Sequence, residues 1–264
     1  MKKSFIFIFT LLLCGILLVT TSCSSTESSK IYLATSPDYA PFEFVNSKTG
    51  EYVGADIMLG EYIAEKLGKE LVIDSMEFTS TLSSLQGGKD DFALSGFTYD
   101  KSRAENYEIS DPYNEQGEGE QVLVMKKESS TKYESYSDLN NKESIIAYQP
   151  GTTQAAAVNE ALPEATKQNV DKVPDAISNW LIPGKVDAVC VPRTVAEGII
   201  NQNNDLEIFN DYLPWEDSAF YCFTKKGNTD LMAQINTILA EVKEKGLYEQ
   251  WLEEAKQIQL DLGL

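Results

Sequence analysis

The chain has 264 residues, 42% hydrophobic and 24% charged, enough for one large core or two modest ones and unlike a disordered segment. Its 41 acidic residues against 22 basic ones give a formal net charge of −19, which argues against nucleic acid and anionic membrane faces as partners. With no histidine anywhere, the commonest zinc ligand and the usual general base are missing, so neither a metal nor a cofactor is expected.

The first residues differ from the rest. Lys2 and Lys3 precede an apolar run over residues 5–19, and small polar residues surround Cys23, the pattern of a secretory signal over residues 1–22. The run is on the short side of the roughly 17 to 25 apolar residues that a membrane span needs. Thr20-Thr21-Ser22-Cys23 resembles a bacterial lipobox, with Thr20 where an aliphatic residue is usual. The reading is that Cys23 carries the lipid, and residues 23–30 form a small, polar, flexible tether.

Residues 31–34 read as a strand, and residues 36–44 as a loop punctuated by Pro37 and Pro41 and rich in rings that look exposed. A helix follows Asp56, with Leu59, Ile63 and Leu67 at helical spacing and Gly68 as its stop. Residues 71–73 are the next strand. Leu82 and Leu85 sit on a short helix closed by Gly87 and Gly88, and a strand over 92–94 follows. Strand, helix, strand, helix, strand is a parallel α/β unit, in which ligands sit at the carboxyl ends of strands.

Residues 95–103 occupy such an end. Gly96 lets backbone approach a ligand, and Thr98 offers a hydroxyl. Asp100 is a suitable N-cap, and it sets Arg103 about one turn on as a planar, permanently charged fork for a carboxylate. From these residues alone the stretch is either a carboxylate clip or a strand-to-helix turn with a solvated Arg.

A second round begins after residues 110–113. Strands are expected at 122–125 and 144–148, and the latter ends at Gln149-Pro150-Gly151-Thr152-Thr153. Thr152 or Thr153 would cap the following helix, leaving free amides aimed at whatever lies before it. Helix over 174–181, strand over 186–191, helix over 194–200 and strand over 220–223 follow. A long helix with Leu231, Ile235, Ile238 and Val242 on one face then precedes a last short one carrying Tyr248, Trp251 and Leu252. Cys190 and Cys222 lie in apolar strand-like runs and read as buried free thiols by default, with a disulfide between them left open by the spacing. Two α/β rounds of similar size suggest two lobes and a cleft.

Nine fragments in order carry a family resemblance: residues 39–44, 53–56, 67–68, 85–91, 96–98 with Arg103, 110–113, 151–152, 184–188 and 246–251. Residues 31 to about 256 are similar to the extracellular solute-binding proteins of polar amino-acid ABC transporters, family 3. The resemblance implies the type II two-lobed periplasmic-binding-protein-like fold, with two hinge crossings and the ligand in the interlobe cleft. Lobe 1 would span 31–117 and 220–264, and lobe 2 would span 118–219.

By the same resemblance, Arg103 holds a ligand α-carboxylate with Ser95, Gly96, Thr98 and the turn of Gly151, Thr152 and Thr153. Tyr39 and Phe78 would sandwich the ligand side chain, and Gln149 would bear on selectivity. Two positions depart from the family pattern. Ser36 stands where many relatives carry an Asp for a polar or cationic side chain, which argues against a lysine- or arginine-type ligand unless Asp38 or Glu43 substitutes. Pro192 stands where an Asp commonly grips the ligand ammonium. Glu115, Glu118, Glu216 and Asp217, near the crossings, are candidates to replace it, and Arg193 is a candidate contact for a second anionic group.

The function so implied is a lipid-anchored, monomeric receptor on the extracellular face of a bacterial membrane. It would bind a small polar amino acid or derivative and deliver it to an ABC permease, without chemistry. The alternatives are a secreted lyase of the cyclohexadienyl dehydratase type, a sensing domain and an adhesin. No pair of carboxylates stands out in the sequence to favour the lyase.

Overall fold

The computed structural model describes residues 29–117, 119–215 and 219–264. The signal, Cys23 and most of the tether lie outside them, as do Glu118, Glu216 and Asp217. Among the described residues no helix is long and apolar enough to cross a membrane.

From β1 (Lys30–Thr35) the chain enters a small antiparallel sheet of β2 (Asp38–Tyr39), β3 (Glu43–Val45) and β4 (Tyr52–Val53). The stretch read as a ring-rich loop is thus partly paired backbone, and Tyr39, Phe42 and Phe44 are buried in it. Strands of two or three residues carry too short a pattern to be told from a loop. Helix α1 (Ala55–Lys66) buries Leu59 and Ile63 as its spacing required, at about 2 kcal/mol each. It ends at Leu67, and Gly68 turns the chain with φ 66°. Next come β5 (Glu70–Ser75), α2 (Phe78–Gly87) with Gly88 in the left-handed region, and β6 (Phe92–Ala93). Helix α3 (Lys101–Asn106) leads into β7 (Tyr107–Asn114).

The second round holds β8 (Gln121–Lys126), a helical turn α4 (Lys127–Ser130), β9 (Ile145–Tyr148), α5 (Thr153–Ala161) and β10 (Thr166–Asn169). The turn α6 (Val173–Asp175) runs on into a wider helical turn over Ala176–Leu181, and β11 (Ala188–Pro192) and α7 (Arg193–Gln202) follow. After β12 (Leu206–Leu213), the chain returns through β13 (Phe220–Lys225) to α8 (Thr229–Lys245) and α9 (Leu247–Leu262). The last helix is therefore long, not short as its few apolar residues suggested.

Two five-stranded sheets result, in the orders β5-β1-β6-β13-β7 and β10-β9-β11-β8-β12. In lobe 1, built on the first sheet, Leu33 and Phe92 pack with Leu59, Ile63, Ile235 and Leu239 in one buried cluster. In lobe 2, built on the second, Leu123, Met125, Ile146 and Tyr148 pack with Ala157 and Val158 of α5. The chain passes between lobes twice, from β7 to β8 and from β12 to β13. Since β7 pairs with β13 and β8 with β12, both antiparallel, the crossings leave neighbouring strands. Two connections that leave paired strands side by side are the arrangement a hinge needs. Cys190 and Cys222 are both buried as thiols.

Candidate functional site

The loop after β6 and the turn after β9 both lie at carboxyl ends of strands, and they meet across the cleft. Asp100 caps α3, accepting from the backbone N–H groups of Ser102 at 2.8 Å and Arg103 at 3.2 Å. This fixes Arg103 in the first turn, where its guanidinium donates to the Thr98 carbonyl at 2.8 Å and, across the cleft, to the Gly151 carbonyl at 2.8 Å. It also lies over the Phe97 ring, 5.4 Å from the centroid. On the other lobe Thr152 caps α5, its hydroxyl accepting from the Ala155 N–H at 3.2 Å. The free amides of that helix therefore face the cleft.

The cavity between these elements is lined from lobe 1 by Ser36, Asp38, Tyr39, Glu43, Phe78, Ser95, Gly96, Thr98 and Arg103, and from lobe 2 by Gln149, Thr152, Thr153 and Gln154. It measures about 20 Å³, close to the room one water needs. The lobes are drawn shut, and an amino acid enters only if they part.

Of the residues expected from the sequence, nine line this cavity: Tyr39, Phe78, Ser95, Gly96, Thr98, Arg103, Gln149, Thr152 and Thr153. Gly151 lies at its edge and takes part through its carbonyl. Arg193 is not brought in. As the first residue of α7 its side chain turns to Glu120, Nε to Oε2 at 2.6 Å, and its backbone N–H donates to the Glu120 carbonyl. Glu115 is exposed and pairs with Lys243 rather than reaching the cleft. Phe78 packs on Phe97, ring centroids 4.9 Å apart, while presenting an edge to the cavity, so it serves core and site together.

Four lining residues were not among those expected or were left open: Ser36, Asp38, Glu43 and Gln154. Ser36 Oγ donates to Asp38 Oδ1 at 2.8 Å, the Ser36 N–H donates to Ser95 Oγ at 3.1 Å, and Ser95 Oγ donates to Glu43 Oε1 at 2.7 Å. A carboxylate pair that the sequence did not reveal is thus joined through two serines. Asp38 also ties the lobes, because its Oδ2 accepts from Gln149 Nε2 at 3.2 Å and from the Val173 N–H at 3.3 Å. Burial pushes its carboxyl up to about 6, against the pull of those hydrogen bonds from Ser36 and Val173. Gln154 Nε2 donates to the Tyr39 hydroxyl at 3.2 Å, a further bond across the cleft.

Residues 31–255 match the family model of the bacterial extracellular solute-binding proteins, family 3. The chain belongs to that family. This family 3 protein is 29% identical to the arginine-binding extracellular protein ArtP of Bacillus subtilis over 91% of its length and 90% of the relative's. It is 27% identical to the glutamine-binding protein GlnH of the same organism, over 89% and 85%. Among solved structures, the substrate-binding protein AbpA of Streptococcus pneumoniae bound to L-arginine superposes with a TM-score of 0.80 at 30% identity, covering 88% of this chain and 96% of that one. The ancestral amino acid-binding protein AncCDT-1, a precursor of cyclohexadienyl dehydratase, gives 0.76 at 27% identity, covering 86% and 95%.

Proposed function

We propose that this family 3 protein is the substrate-binding component of an ABC importer, capturing an amino acid between its lobes and presenting the closed form to a membrane permease. The observation that carries the reading is the Arg103 guanidinium, held at 2.8 Å by both the Thr98 carbonyl of lobe 1 and the Gly151 carbonyl of lobe 2. A ligand carboxylate offers that fork a charged acceptor in place of the neutral Gly151 oxygen, and charge-assisted hydrogen bonds are about twice as strong. Ligand and closure are therefore coupled through one side chain. The names of the relatives, which bind arginine or glutamine, agree with an amino-acid ligand.

In this reading the lobes divide at residues 117/118 and 219/220, residues 1–22 are removed as a signal, and Cys23 anchors a monomer by lipid to the outer face of the membrane. Arg103, Thr98 and the Thr152 helix start hold the carboxylate, while Tyr39 and Phe78 flank the side chain. The protein holds its ligand unchanged. Calorimetric titration with the twenty common amino acids tests it: micromolar or tighter binding of at least one, with the ligand recovered intact after long incubation, is expected. Conversion of the ligand to a product would replace this reading with an enzymatic one.

A further inference from the structure

Resting on that reading, we propose that the ligand carries a cationic side chain, and that lobe 1 receives all of its charge: Glu43 the α-ammonium, Asp38 the side-chain cation and Arg103 the carboxylate.

Among the described residues, the charged groups lining the cavity are Asp38, Glu43 and Arg103, while lobe 2 contributes Gln149, Thr152, Thr153 and Gln154. An amino acid with a neutral side chain brings one carboxylate and one ammonium. It satisfies Arg103 and one acid, leaving the other carboxylate enclosed without a counter-charge, which is costly when the lobes shut. A ligand with a second positive charge balances all three groups.

The relatives do not decide this, because they include both arginine and glutamine binders. The residues of this chain do. Pro192 is buried at the end of β11 and offers no charge, and Arg193 is held away by Glu120. Glu43 is tied through Ser95 to the loop that carries Thr98 and Arg103, so it stands at the carboxylate end. Asp38 is tied to Gln149, the residue expected to bear on selectivity, and to the Val173 backbone, which assigns it to the side-chain end. Ser36 serves here as a support: its hydroxyl orients Asp38, which takes over the role that an acid at position 36 would have. Burial, with Glu77 nearby, raises the Asp38 carboxyl, and Lys172 on lobe 2 opposes them only weakly. A cation seated beside Asp38 relieves that situation directly.

Calorimetry at pH 7.5 with L-arginine, L-lysine, L-glutamine and L-leucine tests the proposal. The two cationic ligands are expected to bind at least about 100-fold more tightly than the neutral ones. Asp38→Asn should weaken L-arginine at least about tenfold while leaving L-glutamine within a few-fold, and Glu43→Gln should weaken every amino acid. A second readout needs no variant. At pH 6, L-arginine binding to the unaltered protein should release a fraction of a proton, measured in buffers of different ionisation enthalpy, as Asp38 ionises beside the cation. A neutral amino acid binding as tightly as L-arginine, or proton uptake on binding, overturns the charge assignment and leaves the importer reading standing. Binding by no amino acid of either class overturns both.

Discussion

The backbone N–H of Gly96, in the loop after β6, donates to the wholly buried carboxylate of Asp56 at 3.0 Å. The same carboxylate accepts from the Tyr113 hydroxyl at 2.7 Å and the Tyr248 hydroxyl at 2.6 Å. Tyr113 lies on β7 just before the first crossing, and Tyr248 on the first turn of α9, so one side chain joins loop, hinge strand and C-terminal helix.

Asp56→Ala leaves three donors without acceptors, two of them buried tyrosine hydroxyls, and the expected loss is about 3 to 5 kcal/mol of stability, read from urea unfolding. Tyr248→Phe removes one bond only and should cost about 1 kcal/mol. Ligand affinity should fall with Asp56→Ala in whatever fraction stays folded, because Gly96 loses its anchor.

Arg103→Ala should weaken amino-acid binding by at least about 100-fold, since it removes a charged partner, and leave the melting temperature within a few degrees because the side chain is half-exposed. Arg103→Lys keeps the charge but not the planar fork that reaches both the Thr98 and Gly151 carbonyls. It should recover little of the affinity. Calorimetry beside a thermal melt separates the two effects, and full affinity in either variant would remove Arg103 from the site.

Gly96 has φ 57°, and a Cβ there would lie 3.2 Å from Tyr39 Cε1 and 3.3 Å from Phe220 Cζ. Gly96→Ala therefore meets backbone strain and crowding at once, and should cost about 1 to 3 kcal/mol. Because Tyr39 is one of the displaced rings, affinity should fall as well. An unchanged dissociation constant would argue against Tyr39 as a ligand contact.

Burial raises the carboxyls of both Asp38 and Asp56 from an ordinary 3.8 to about 6. The folded protein then holds these protons more tightly than the unfolded chain. Their contribution to stability is fully present below about pH 3.8 and is lost as pH rises through about 6. Melting temperatures across pH 4 to 7 should fall with rising pH on this account, and Asp38→Asn should flatten part of the slope.

The bond from Gln154 to the Tyr39 hydroxyl spans the cleft, so Tyr39→Phe loosens the closed form while keeping the ring. The expected effect is a dissociation rate a few-fold faster with little change in association, measured by stopped-flow fluorescence.

By itself the sequence determined what depends on near neighbours. Apolar spacing and the Gly stops marked α1 and α2, Asp100 declared its cap and Thr152 or Thr153 the next one, and the placement of Thr98 and Arg103 after a strand left two readings, a carboxylate clip or a plain strand-to-helix turn. Family fragments in order added the two-lobed architecture. What the sequence left open was decided by contacts between residues far apart in the chain. Asp38 and Glu43 lie in a stretch whose two- and three-residue strands show no periodicity, so nothing local says which side chains turn inward. Only the pairing of β2 with β3, and the Ser36 and Ser95 hydroxyls 59 residues apart, aims both acids at the cleft. Arg193, next to the site in sequence, is drawn off by Glu120, 73 residues away. Asp56 reads as an ordinary acid near the start of α1, and its three partners lie 40, 57 and 192 residues away, where no spacing rule reaches.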